Sequence, residues 1–274
     1  MKPRLLLIDG DVFAYRYAAA GQWTIDWGDG DEPSVAPDVN TAFSNMRADI
    51  EHLVVRLEAC RLVVCLSDDA YSWRRERVWP AYKENRKGVA RPVGLKDMKD
   101  RMRESFEVKE KPLLEADDVM GILQTNPMLY PEYEKVIVTR DKDMLTVPGL
   151  VAMIRSNDDI DLTYVFEESA DYRHRVQTLS GDPVDGYPGC KKVGPVKAAR
   201  IAASGWGAVA EAFSAAGHDE THFLAMARCA RILRATDYDY KKKEPILWNP
   251  PTTTAGSPAL SPSTPGPCNP ESPR

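Results

Sequence analysis

No run of about 18 uninterrupted apolar residues occurs in this 274-residue chain, so it offers no transmembrane helix. The apolar run nearest the N-terminus, Leu5 to Ile8, is cut short by Asp9 and is too brief for a secretory signal. Cysteine is scarce: Cys60, Cys65, Cys190, Cys229 and Cys268 form an odd, scattered set without a CxxC pair. This excludes a disulfide framework and a structural zinc site and points to a reducing, cytoplasmic compartment. Internal repeats are also missing. Nor is there an excess of positive charge. The net charge is −5, which by itself argues against a nucleic-acid partner.

The distribution of charge argues otherwise. Between Arg74 and Arg91 lie the basic residues Arg74, Arg75, Arg77, Lys83, Arg86, Lys87 and Arg91 against only Glu76 and Glu84. From Cys190 to Arg200 there is no acid at all. Local basic surfaces on an acidic chain imply that carboxylates are concentrated elsewhere for a purpose.

Three apolar runs read as buried parallel strands: LLLI at 5–8, LVVCL at 62–66 and KVIVT at 135–139, with a weaker one at 151–154. Helical patterns at 41–60 and 116–124 lie between them, which predicts an α/β fold with a mostly parallel sheet flanked by helices. Residues 71–111 read as an insertion rich in charge and aromatics, and 170–240 as a helical, Ala-rich second lobe. The last 26 residues hold eight prolines and almost no large apolar side chain, a composition that predicts disorder.

Each strong strand runs into acid: Asp9, then Asp68 and Asp69, then Asp141 and Asp143. Ligands of open α/β sheets bind beyond the carboxyl ends of the strands. LLEADDVM adds Glu115, Asp117 and Asp118, flanked by apolar residues, and GDPVDG adds Asp182 and Asp185. So many carboxylates cannot share one site without strong mutual repulsion. Divalent ions resolve this, and an oxygen-only donor set suits Mg²⁺ or Mn²⁺. Two ions about 4 Å apart would activate water and stabilise the leaving oxygen of a phosphodiester.

A rival reading takes LLLIDGDVF as a haloacid-dehalogenase-type phosphatase motif, with Asp9 as nucleophile and Asp11 as general acid; it leaves EADD, DKD and both basic segments unexplained. A second rival is a non-catalytic DNA-binding protein. Gly189 and Gly194 have the spacing of a P-loop, but Pro195 stands where its lysine is required. His218 and His222 flank Asp219, Glu220 and Thr221 in imitation of a zinc protease; the Glu is one place late and Gly217 disfavours a helix, so this stretch reads as a solvated loop.

LLIDGDVFAYR, YKENRKG, LLEADDVMG, TRDKDM and GDPVDGYPGCKKVGPVKAARI occur in the order seen in 5′-nucleases of the flap-endonuclease superfamily, whose fold is PIN-like. The sequence most resembles the 5′→3′ exonucleases of short-tailed, autographivirus-type bacteriophages, over roughly 1–248. That resemblance implies a catalytic core at 1–170 carrying a helical arch at about 71–111, a DNA-binding lobe with a helix–hairpin–helix at 171–248, and a tail from 249. Asp9, Asp68, Glu115 and Asp117 would hold one metal, with Asp118 adjacent, and Asp141, Asp143, Asp182 and Asp185 a second. The spacing to Trp73 leaves open whether Asp68 or Asp69 is the ligand. Lys83 and Arg86 would meet the scissile phosphate, while Tyr82 and Tyr15 would stack on bases. Lys191, Lys192, Gly194 and Lys197 would grip duplex DNA, with K⁺ in the hairpin. The implied activity is Mg²⁺-dependent 5′→3′ exonuclease action on duplexes with a 5′ end, nick, gap or flap, with flap-endonuclease action and cleavage in RNA–DNA hybrids beside it, in the bacterial cytoplasm and away from membranes.

Overall fold

The computed structural model describes residues 2–28, 32, 34–156 and 159–251. The chain forms β1 (Arg4–Asp9), α1 (Gly10–Ala20), β2 (Gln22–Ile25), β3 (Ser34–Pro37), α2 (Val39–Arg56) and β4 (Ala59–Cys65). It continues through α3 (Trp73–Arg77), α4 (Leu95–Ser105), β5 (Val108–Lys109), α5 (Ala116–Thr125), β6 (Glu134–Thr139), β7 (Gly149–Ile154) and β8 (Ile160–Val165). Then follow α6 (Glu167–Ser180), α7 (Pro195–Ala202), α8 (Trp206–Ala215), α9 (Glu220–Ala230), β9 (Tyr238–Asp239) and β10 (Glu244–Pro245). The main sheet has the order β5-β4-β1-β6-β7-β8, parallel except for β8 at its edge.

β1 lies in the centre, which is why its run is continuously apolar. Leu5 and Leu7 face a core shared with Val63, Cys65, Ile137 and the Val119–Met120 face of α5. Leu6 and Ile8 face the opposite core, with Val64, Val136, Val138 and residues of α1, α2 and α4. All four are fully buried, each worth about 1.5–3 kcal/mol. The register sets Asp9 level with Cys65 and Ile8 level with Val138, so the three strands deliver their following acids to one edge. Beyond the sheet, α6 to α9 enclose a third core around Leu179, Val209, Phe213 and Met226.

Several expectations need correction. The helix expected to reach Cys60 ends at Arg56, because Glu58 takes a left-handed φ of 51° and turns the chain into β4. The β2–β3 hairpin and the antiparallel β8 add to the expected strands; neither carries a continuous apolar run. The insertion at 71–111 is built of two helices, α3 and α4, joined by turns, and ends in β5. Cys60, Cys65, Cys190 and Cys229 are free thiols. No helix among the described residues is long and apolar enough to cross a membrane. The proline-rich tail, beyond Pro251, lies outside the described residues.

Candidate active site

Asp9 ends β1 and caps α1, accepting Val12 N–H at 3.2 Å and the Thr139 hydroxyl at 2.7 Å. Burial, with Asp11 and Asp141 nearby, pushes its carboxyl up to about 7. Asp117, in the first turn of α5, is raised well above the usual carboxylate range by burial and by Asp9 and Asp141. Asp141 caps the turn Lys142–Thr146 by accepting Asp143 N–H at 2.8 Å. Burial, then Asp141 and Asp182, push Asp143 up to about 7. The structure thus gathers Asp9, Asp117 and Asp141, and through Asp141 joins them to Asp143 and Asp182.

Glu115 and Asp185 differ because cations face them. Lys83 Nζ donates to Glu115 at 2.8 Å and lies 3.7 Å from Asp185. Arg86 donates to Asp185 at 2.6 Å. Burial alone would raise Glu115, but Lys83 and Arg74 outweigh it and hold the carboxyl at about 2. Asp185 stays raised, by burial, despite Lys83. Lys83 occupies the left-handed region at φ 54°. That backbone is fixed by its own N–H on the Asp185 carbonyl at 2.8 Å and by Arg75, which donates to the Tyr82 carbonyl at 2.9 Å.

Two assigned roles are corrected by these contacts. Asp118 is fully buried and turned away from the cluster: Arg74 grips both oxygens at 2.7 Å, and Trp73 Nε1 and Leu233 N–H add bonds at 2.9 and 3.0 Å. With each oxygen holding two donors, it serves the fold rather than an ion. Tyr82 is 2% exposed and stacks on Tyr187, so it cannot receive a base. Its hydroxyl lies 3.0 Å from Glu115 and 2.9 Å from Asp185. Asp11 and Asp69 share Lys99, at 2.9 and 2.8 Å, which commits Asp11 to an ion pair instead of a general-acid role. Asp68 accepts Ala70 N–H at 3.0 Å and Leu113 N–H at 2.9 Å, fixing the loop that presents Glu115. Tyr15 is half exposed on α1.

Arg74, Thr139 and Arg75 brace the carboxylates or the adjoining backbone, and the sequence alone does not single them out for this. A signal for the first exists: Asp118 sits one helical turn from Ile122 on the apolar face of α5, and a buried carboxylate demands a buried cation.

The hairpin joins α6 to α7. Gly189 has φ +67°, and a Cβ there would meet Gly181 N at 2.3 Å and Leu179 O at 2.6 Å. Gly194 caps α7 at φ −83° with open space around it, so no neighbouring atom in the protein requires glycine there. Lys191, Lys192, Lys197 and Arg200 line a groove of about 640 Å³ against α8. The His218–His222 stretch is not a loop but the capped start of α9, where Asp219 accepts His222 N–H at 2.8 Å and the two imidazoles stack at 4.2 Å.

Among the described residues, no three acidic, histidine or cysteine side chains close tightly enough to hold an ion as they stand. The donor set of Asp9, Asp117, Asp141 and Asp143 nevertheless fits a hard divalent cation. It is all oxygen and crowded, and two of its carboxyls are raised to about 7.

The chain is similar to several known proteins. The chain is 29% identical to the exonuclease of Escherichia phage T7 over 286 residues, covering 90% of this chain and 93% of that protein. It is 29% identical to the exodeoxyribonuclease of Enterobacteria phage T3 over 288 residues, with the same coverage. A T5 flap endonuclease solved as a pseudo-enzyme-product complex with DNA and metal ions matches with a TM-score of 0.59 at 13% identity, over 85% of this chain and 90% of that one. A T5 5′-exonuclease with bound zinc matches at a TM-score of 0.57 and 15% identity, over 83% and 93%. These two share the fold. Residues 4–171 match the family described as 5′-3′ exonuclease, N-terminal resolvase-like domain, and the chain belongs to that 5′-3′ exonuclease family.

Proposed function

We infer that the protein is a divalent-metal-dependent 5′→3′ exodeoxyribonuclease acting on duplex DNA from a 5′ end, nick, gap or flap, with Mg²⁺ as its ion and Mn²⁺ as a substitute. The observation that carries this reading is the division of the acidic site. Asp9, Asp117 and Asp143, raised by burial and further by the neighbouring Asp141, crowd together, while Lys83 and Arg86 approach from the insertion and engage Glu115 and Asp185 alongside. Asp9, Glu115, Asp117, Asp141, Asp143, Asp182 and Asp185 would hold the ions, with Asp68 at the border. Bound there, divalent ions supply an activated water and offset charge on the phosphodiester.

The chain's own groups do the rest. Lys83 and Arg86 exchange a carboxylate for the scissile phosphate and stabilise its developing charge, on a backbone already held in place. The exposed Tyr15 ring stacks on the terminal base, an interaction of about 1–3 kcal/mol that ignores sequence. Lys191, Lys192 and Lys197 hold the duplex by its phosphates, and the Gly194 cap opens the first turn of α7 toward them. In this division of labour residues 1–170 cut and 171–248 hold the duplex. A K⁺ ion at the hairpin, action on RNA–DNA hybrids and work in the bacterial host cytoplasm belong to the same reading.

The test is product analysis on 5′-labelled blunt, nicked and flapped duplexes with Mg²⁺, Mn²⁺ or EDTA. Mononucleotides from blunt ends mark exonuclease action, and an intact released flap marks endonuclease action. Duplex DNA left whole with both ions would overturn the reading.

A further inference from the structure

Lysines, three of them without a carboxylate partner, gather at a second place, remote in sequence from the hairpin. β5 ends at Lys109, and the chain passes through Lys111 toward the loop that presents Glu115. Across from it, the β9–β10 turn carries Lys241, Lys242 and Lys243, all exposed. The turn is firmly built. Asp239 accepts Lys241 N–H at 2.9 Å and Lys242 N–H at 3.0 Å, and its carbonyl accepts Lys243 N–H at 2.7 Å. Lys111 Nζ lies 4.6 Å from the centre of the Tyr238 ring and 5.8 Å from that of Tyr240, which is 44% exposed.

Lys109 reaches Glu107 at 3.1 Å and Lys242 reaches Glu244 at 4.0 Å, but among the described residues no carboxylate lies within ion-pair distance of Lys111, Lys241 or Lys243. Burial, together with crowding by Lys109 and Lys243, holds the Lys111 ammonium below the ordinary lysine value. Crowding of this kind is unfavourable until an anion relieves it.

The patch is close to the acidic site. Lys111 precedes Glu115 by four residues, so their Cα atoms are at most about 14 Å apart. That is about four phosphates along one strand of B-form DNA at about 3.4 Å each. Arg77 of α3 pairs with Glu244 at 3.2 Å and so ties β10 to the helix whose first turn carries Arg74.

We propose that Lys109, Lys111 and Lys241–Lys243 form a second DNA-backbone subsite, separate from the hairpin, with Tyr240 presenting a ring beside it. The proposal rests on the nuclease reading for the identity of the polyanion. The half-exposed tyrosine among the lysines and the short reach to Glu115 favour nucleic acid over an acidic protein segment.

The experiment uses the full chain in EDTA and a fluorescein-labelled nicked duplex, with anisotropy followed between about 50 and 200 mM salt. Lys111→Gln/Lys241→Gln/Lys243→Gln should bind more weakly. Its slope of log K against log salt should become shallower by about 2–3, near 0.9 for each phosphate left without its lysine. Lys241→Gln/Lys243→Gln, confined to exposed turn side chains, guards against a folding defect and should lose about 2. Lys111→Arg/Lys241→Arg/Lys243→Arg should keep the wild-type slope. Gln variants with wild-type affinity and slope would overturn the subsite. So would a poly-glutamate peptide that binds wild type but not the variants while DNA binding is unchanged, which would assign the surface to a protein partner. Cleavage of the same duplex by the wild type with Mg²⁺, run in parallel, tests the nuclease reading separately, because the anisotropy result does not depend on turnover.

Discussion

Replacing Asp9 by Asn removes a carboxyl that burial, Asp11 and Asp141 push from an ordinary 3.8 to about 7. At about 1.4 kcal/mol per pH unit, ionising it inside the metal-free fold costs on the order of 4 kcal/mol. Asp9 shares this charge with Asp117 and Asp141, and Asn can keep partners at Val12 and Thr139, so about 2–4 kcal/mol should be recoverable. Between pH 4 and 7 the fold retains a proton that the unfolded chain has already released. Metal-free stability contributed by this group therefore falls as pH rises through that window and stays low above it. Asp9→Asn should erase this group's share of the fall and leave that of Asp117 and Asp143. In EDTA, the melting temperature of the variant minus that of wild type should grow by on the order of 5–10 °C from pH 5 to pH 8, at about 2–4 °C per kcal/mol. Scanning calorimetry at both values reads it directly. Adding Mg²⁺ should raise the wild-type melting point at pH 8 more than that of the variant, through linkage. A difference that is the same at pH 5 and pH 8 would refute the reasoning, since the Asp9 carboxylate would then carry no special cost.

Arg74→Ala should destabilise the protein by about 3–5 kcal/mol in denaturant titrations, because it strands the buried Asp118 carboxylate; a cost below about 1 kcal/mol would show Asp118 to be solvated. Lys83→Ala should lower kcat on duplex DNA by about 10²–10³, the typical cost of removing one charge-stabilising donor, with duplex affinity in EDTA unchanged. Gly189→Ala should lower the melting temperature and abolish duplex binding, since the added methyl would sit 2.3 Å from Gly181 N; Gly194→Ala, with open space around it, should bind as wild type.

Much of the fold is legible because its central strands are buried on both faces. Such strands must be apolar throughout, so β1, β4 and β6 stand out as runs, and the acids that end them stand out against the apolar background. β8 escapes notice because it is an edge strand exposed along most of its length, from Asp161 to Tyr164, and its residues mix IDLTYV without a run. The hairpin lysines and the carboxylates at 9, 115, 117, 141, 143, 182 and 185 likewise stand out in the sequence as residue types clustered at the ends of elements and in the turns between them.

Asp117 and Asp118 mark where that legibility ends. They are neighbours of one kind, yet successive residues on a helix point about 100° apart. One therefore enters the acidic cleft, and the other enters the core against Arg74. The chain alone determined an α/β sheet with acids at the carboxyl ends of its strands and basic segments on either side, because burial on a sheet leaves a one-dimensional trace. Which carboxylates face a cation, which face only each other, and which tyrosine is wet were decided by tertiary packing. Those properties depend on the side chains that residues far apart in the chain bring within a few ångströms, and on the low dielectric they share.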